Sequence, residues 1–241
     1  FWKANEEHNI TMKDIKKIIQ SIREECKVLY DRRLIEQLYS QFQSKKIDDT
    51  ESVEKITEMI RKRKILLLAP GKSLVSEYDK IMEFIEKEIP YVISVNFVDA
   101  KYHMDACFVS NHKRMDIIEQ EIEPLKHVRT ILTSNIPGFN CQDCLFVDYD
   151  CYTIDDEMIS DNAGLMLLKL LKRCGAENIF LAGFDGFHHK HNENYYSEEL
   201  NFKVNDSEIY EKQKRIRKQL KEFSNDMNIT FLTRSVYEQV E

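Results

Sequence analysis

The chain has 241 residues, 42% of them hydrophobic, and a net charge of −7, which is enough length and apolar content for one globular α/β domain with a smaller attachment. An acidic balance without a long basic stripe argues against a dedicated nucleic-acid or membrane-surface protein. No apolar run approaches the ~18 residues that span a bilayer and no signal peptide opens the sequence, so a cytoplasmic location is expected.

The sequence begins Phe1-Trp2-Lys3 without an initiator Met, and a piece of a longer polypeptide is expected. Thr11 can cap a helix with Ile15, Ile18, Ile19 and Ile22 on one face, a second helix runs from Asp31 through Leu34, Ile35, Leu38 and Phe42, and a third starts near Thr50 with Val53, Ile56 and Ile60. Their apolar faces are wide enough to need a partner surface. This helical segment is taken as residues 1–62.

From residue 63 onward short apolar runs alternate with amphipathic helices, the texture of a mostly parallel sheet covered on both faces. Strands are expected at Ile65 to Ala69, Tyr91 to Val95, Ala106 to Val109, Val128 to Leu132, Leu145 to Val147, Asn178 to Ala182 and Ile229 to Leu232. Helices are expected near 73–88, 113–121, 161–173 and 207–227. The fold class is therefore α/β, a Rossmann-like parallel sheet flanked by helices over residues 63–241 and preceded by the helical segment.

The first strand runs into Pro70-Gly71-Lys72-Ser73, a tight turn after which Ser73 can N-cap a helix. A strand, a Gly turn and a helix start present free backbone N–H groups to an anion such as phosphate, although the spacing matches neither G-x-G-x-x-G nor a Walker loop. Ligands of such sheets bind beyond the carboxyl ends of the strands, so the residues there form the candidate site. They are Gly71, Lys72, Ser73, Asn96, Asn111, Arg114, Ser134, the turn Ser160, Asp161, Asn162 and Gly164, and Asp185 with Phe187. Asn and Ser donate and accept as a base, ribose or sugar hydroxyl requires; equally, Asn96 and Asn135 read as turn residues, and Ser160 or Asp161 as a helix cap.

The six cysteines, Cys26, Cys107, Cys141, Cys144, Cys151 and Cys174, lack the spacing of a disulfide framework. Cys141 and Cys144 have neither the second pair a zinc site wants nor a helix start behind them.

The order Ala69-Pro70-Gly71-Lys72-Ser73-Leu74, Val95-Asn96-Phe97, Ser110-Asn111-x-x-Arg114, Ser160-Asp161-Asn162-Ala163-Gly164 and Gly183-Phe184-Asp185 is similar to the Rossmann-like domain of archaeal 6-hydroxymethylpterin diphosphokinase-like proteins and of bacterial sialyltransferases that use a cytidine-monophosphate sugar donor. Over the whole chain, the helical opening with Asp31-x-x-Leu34-Ile35-Glu36-Gln37-Leu38-Tyr39 resembles the C-terminal part of bacterial polypeptides with an N-terminal 4-hydroxy-2-oxovalerate aldolase or hydroxymethylglutaryl-CoA-lyase-like barrel. These often occur with surface-polysaccharide genes. The barrel's own catalytic and metal motifs are absent from this chain.

The resemblance implies a nucleotide or nucleotide-sugar partner, with its phosphate against Gly71 and Ser73, Asn96 and Asn111 near donor phosphate or sugar, the 160–164 turn at the nucleotide sugar, and Asp185 with Phe187 beside base or ribose. It implies a preceding aldolase-like domain as well, and leaves self-association open. The sialyltransferases carry a Tyr where this chain has Phe187. Glycosyl transfer needs a general base, for which His188 or His189 stands in the loop, and groups such as Lys72, Arg114, Tyr195 or Tyr196 to hold the leaving phosphate. Pyrophosphoryl transfer needs Mg²⁺ on carboxylates, with Asp185 and Asp161 the reasonable donors. A ligand-sensing or assembly module is the third reading. The Gly186 to Tyr196 loop is expected to act as a lid.

Overall fold

The computed structural model describes residues 46–111, 114–115, 118, 127–136, 144–188, 195–197 and 206–238, all within one compact unit, residues 42–241. The two helices expected before residue 46, Cys26, Cys141, His189, and most of the helix expected at 113–121 lie outside the described residues.

Seven parallel strands form one sheet in the order β5-β4-β3-β2-β1-β6-β7. They are β1 (Ile65–Leu68), β2 (Tyr91–Val95), β3 (Ala106–Val109), β4 (Arg129–Thr133), β5 (Leu145–Val147), β6 (Asn178–Ala182) and β7 (Asn228–Phe231). The helices are α1 (Thr50–Ile60), α2 (Ser73–Ser76), α3 (Tyr78–Glu88), α4 (Tyr149–Tyr152), α5 (Ala163–Arg173) and α6 (Asp206–Phe223). The expected helix at 73–88 divides at Glu77, whose backbone (φ −121°, ψ 27°) leaves the helical region. The one expected at 161–173 starts later, because Asn162 is the cap: its side-chain oxygen accepts from the Leu165 N–H at 3.1 Å.

The strands are apolar at nearly every position because both faces are covered. Successive residues sort to opposite sides with period two: Ile65 and Leu67 enter one core with Ile93, Phe108, Ile131, Ile179 and Leu181, and Leu66 and Leu68 enter the other with Val92, Cys107, Val109, Leu132 and Ala182. Helices α1, α5 and α6 bury Ile56, Leu167 and Ile216 on the first face. Helix α3 buries Ile81 on the second. From β1 the chain winds outward one way to β5, then returns to place β6 on the other side of β1. Right-handed crossovers in opposite directions put α3 and α6 on opposite faces.

Helix α1 is tied in by a buried carboxylate. Asp49, only 5% exposed, accepts from the Tyr152 hydroxyl at 2.8 Å, the Arg173 guanidinium at 2.9 and 3.2 Å and the Asp148 N–H at 3.1 Å. Arg173 also donates to the Tyr152 oxygen at 2.6 Å. Burial and the adjacent carboxylate push the Tyr152 phenol upward. Asp148 in turn accepts from the N–H groups of Ile47 and Cys151. The start of α1, the turn after β5 and the end of α5 thus share one hydrogen-bonded knot. No helix among the described residues is long and apolar enough to cross a membrane.

Asp49→Ala strips three donor groups of one acceptor and removes the carboxylate that pairs with Arg173, so urea unfolding should record a loss of about 2–3 kcal/mol, against about 1 kcal/mol for Tyr152→Phe.

Candidate functional site

The winding of the chain reverses between β1 and β6, and there the loops beyond their carboxyl ends lie backbone to backbone. The Ala69 N–H donates to Ala182 O at 2.9 Å and the Gly71 N–H to Gly183 O at 3.1 Å, extending the ladder past both strands. Neither glycine can be replaced without movement: a Cβ on Gly71 would stand 2.3 Å from Gly183 O, and one on Gly183, whose φ is +75°, 1.8 Å from Ala69 O.

This approach brings Asp185 onto Ser73. One carboxylate oxygen accepts from the Ser73 N–H at 2.7 Å, and the other takes the Ser73 hydroxyl in a short hydrogen bond. The Thr233 hydroxyl lies 2.8 Å from Ser73 Oγ and accepts from the Gly183 N–H at 3.0 Å. Each hydroxyl has one proton, which sets the direction of the chain: Gly183 N–H to Thr233, Thr233 O–H to Ser73, Ser73 O–H to Asp185. Ser73 is fully buried and is the first residue of α2, the cap position being taken by Lys72 without a side-chain bond. The Ser73 cap expected from the sequence is therefore replaced by a tether. The N–H that a phosphate was expected to meet is occupied by the protein's own carboxylate.

Along the other strand ends the polar residues divide into clips and solvent-exposed side chains. Asn96, at φ +60°, accepts from the Ser110 N–H at 3.0 Å, joining the ends of β2 and β3. Ser134 is buried and accepts from the Tyr149 N–H at 3.0 Å, so it serves the turn into α4. Ser160 accepts the Ile154 N–H through its carbonyl. Asp161 is exposed, and Gly164 lets the Phe184 ring lie on the start of α5, where a Cβ would meet Cε1 at 2.8 Å. Phe187 packs on the core, its carbonyl accepting from Gln213 at 2.6 Å. Lys72 is partly exposed, and Asn111 and His188 are exposed.

Arg114 lies over the Tyr195 ring at 5.8 Å. Burial draws its guanidinium below the usual range, opposed by the Tyr195 phenol; it remains a cation at any ordinary pH. Tyr196 rests edge-on against Phe97 at 5.7 Å, and its N–H donates to Pro70 O at 3.0 Å. The segment 195–197 is thereby held beside the Gly71 turn. Bonds or packing thus join Gly71, Ser73 and Asp185 directly, and link Arg114 to them through Tyr195, Tyr196 and Pro70.

Residues beyond β7 complete this edge: Thr233; Ser235, whose hydroxyl donates to Phe184 O at 2.5 Å; Val236, whose N–H donates to Asp185 O at 3.2 Å; and Tyr237. The available signal was topological. The last strand of a parallel sheet delivers its following residues to the same rim as the others.

Among the described residues no group of three or more His, Cys, Asp or Glu is arranged to hold a metal ion. Burial pushes the Cys107 thiol up to about 12, which leaves it a core side chain and not a nucleophile. No protein-family profile matches the chain, and no curated protein has significant sequence similarity to it.

Asp185→Asn leaves one amide oxygen for two donors and turns an NH₂ toward them, so urea denaturation should show a loss of about 1.5–3 kcal/mol. Gly71→Ala, forced against Gly183 O, should be at least as damaging, whereas Asp161→Asn at the exposed turn should leave the midpoint unchanged.

Proposed function

We propose that the carboxyl edge of the sheet binds a nucleotide or nucleotide-sugar, and that the chain transfers the glycosyl group in the cytoplasm as part of an aldolase-type polypeptide serving surface-polysaccharide metabolism. The observation that carries the reading is the reversal of winding between β1 and β6, since open parallel sheets take their ligands at that crossing. Because Asp185 already holds the Ser73 N–H, the phosphates fall to Lys72, Asn111 and Arg114 rather than to the backbone of α2. A planar base or sugar ring has the aromatic surface of Tyr195 and Tyr196 to lie on.

In a transfer of this kind the acceptor hydroxyl loses its proton as it attacks the anomeric carbon, and the nucleotide phosphate leaves as an anion. His188, exposed just after the Asp185 loop, is the described side chain suited to take the proton, and Lys72 and Arg114 stabilise the departing charge. Mg²⁺-dependent pyrophosphoryl transfer is less well supported, because both oxygens of Asp185 are engaged by Ser73.

Calorimetric titration with cytidine, uridine, guanosine and adenosine nucleotides, with and without Mg²⁺, tests the reading. A pyrimidine nucleotide should bind without Mg²⁺, and Lys72→Ala or Arg114→Ala should each weaken it about tenfold, the worth of one charge-assisted hydrogen bond. His188→Ala should spare affinity and slow transfer by about 10²–10⁴. Absence of binding by every nucleotide would overturn the proposal.

A further inference from the structure

Helix α6 carries its cations in two conditions. Arg215 is paired with Asp156 and Glu211, Lys212 with Glu208 and Lys218 with Glu222, while Lys214 and Lys221 are exposed to solvent. Arg217 has neither arrangement. It is half-buried, makes no ion pair with any described residue, and has one hydrogen bond, from Nη2 to Val236 O at 2.8 Å. Its Nε is buried without a partner. Guanidinium has five N–H donors in a fixed fork, and a buried donor left unmade is destabilising, the more so when it is charged.

The direction of the side chain gives this cation a place in the site. Helix α6 leads into β7 of a parallel sheet, so it runs from the carboxyl edge toward the amino edge, and helical side chains lean toward the helix N-terminus. Arg217 accordingly reaches the residues beyond β7, where Val236 donates to Asp185 O at 3.2 Å and fills the space against Gly186. The next residue, Tyr237, is 7% exposed. Its N–H is used by Ser235 Oγ, while its hydroxyl makes no hydrogen bond to a described residue. Burial and the nearby Tyr195 phenol, with Asp185, push that phenol upward and Arg217 opposes them, so it stays a neutral donor.

We propose that Arg217 and Tyr237 form an oxyanion subsite beside the Asp185 loop, taking a phosphate or carboxylate group of the ligand through the guanidinium N–H groups that Val236 O leaves unbonded and the phenolic O–H. Asp185 does not fill it, because its oxygens are bonded to Ser73. The subsite rests on the carboxyl-edge reading for its location and not on the identity of the nucleotide.

The test uses the full chain with inorganic phosphate and, separately, acetate, each at matched ionic strength against chloride, read by thermal melting and calorimetry. At least one oxyanion should raise the wild-type Tm above the chloride control, and which one does so separates phosphate from carboxylate. Arg217→Gln should weaken that anion about tenfold. Tyr237→Phe should weaken it severalfold while leaving the anion-free Tm unchanged or higher, since it deletes an oxygen that bonds none of the described residues. Tyr237→Phe decides the matter if Arg217→Gln fails to fold. No anion effect in the wild type, or unchanged anion affinity in both variants, overturns the subsite. Nucleotide binding with unaltered anion affinity in the variants removes the subsite alone, whereas anion binding without nucleotide binding removes the nucleotide reading alone.

Discussion

The carboxyl edge depends on the hold of Asp185 on Ser73. A carboxylate taken partly out of water needs its oxygens bonded, and here a backbone N–H and a hydroxyl meet them, with Thr233 passing a further donor into the same chain. Three loops, after β1, β6 and β7, are joined by these bonds. Their closeness requires backbone contact at Gly71 and Gly183, and any side chain at either position would push the loops apart. The glycine turn that suggested a phosphate cradle therefore serves a tether, and the anion in it belongs to the protein.

That substitution redistributes the work of the edge. The N–H of Ser73 and its hydroxyl are committed, so in the proposed reading side chains rather than the backbone of α2 meet an incoming negative charge. Lys72 follows β1, Arg114 follows β3 under the Tyr195 ring, and Arg217 arrives from α6. In a chain of net charge −7, these cations are the side chains to which the proposed reading assigns the ligand's negative charge.

The opposite requirement, holding α1 to the sheet, is met by the same physics with a different result. Asp49 lies between Tyr152 and Arg173 with every partner in reach, so its burial is compensated within the fold. Arg217 differs in having no such carboxylate among the described residues. A buried charge fully bonded by the protein is a structural knot, whereas the half-buried Arg217 with unused donors is the group that the proposed subsite employs.

The sequence by itself determined the α/β class and the approximate strands, because short apolar runs bounded by turns are local properties of the chain, whereas strands apolar at nearly every position left the face of each residue to the structure. It also placed the candidate site on the carboxyl rim, since Gly71, Asn96, Asn111, Arg114 and Asp185 all follow strands and a parallel sheet gathers strand ends. It could not distinguish Ser73 as a cap from Ser73 as a partner of Asp185, a residue 112 positions away, nor find Thr233 and Arg217. Local patterns encode which backbone state a residue prefers and whether it faces a core. Only the tertiary structure decides which donor meets which acceptor, because that choice depends on strand order, on the reversal of winding between β1 and β6, and on a contact between two glycines that leaves no room for a side chain.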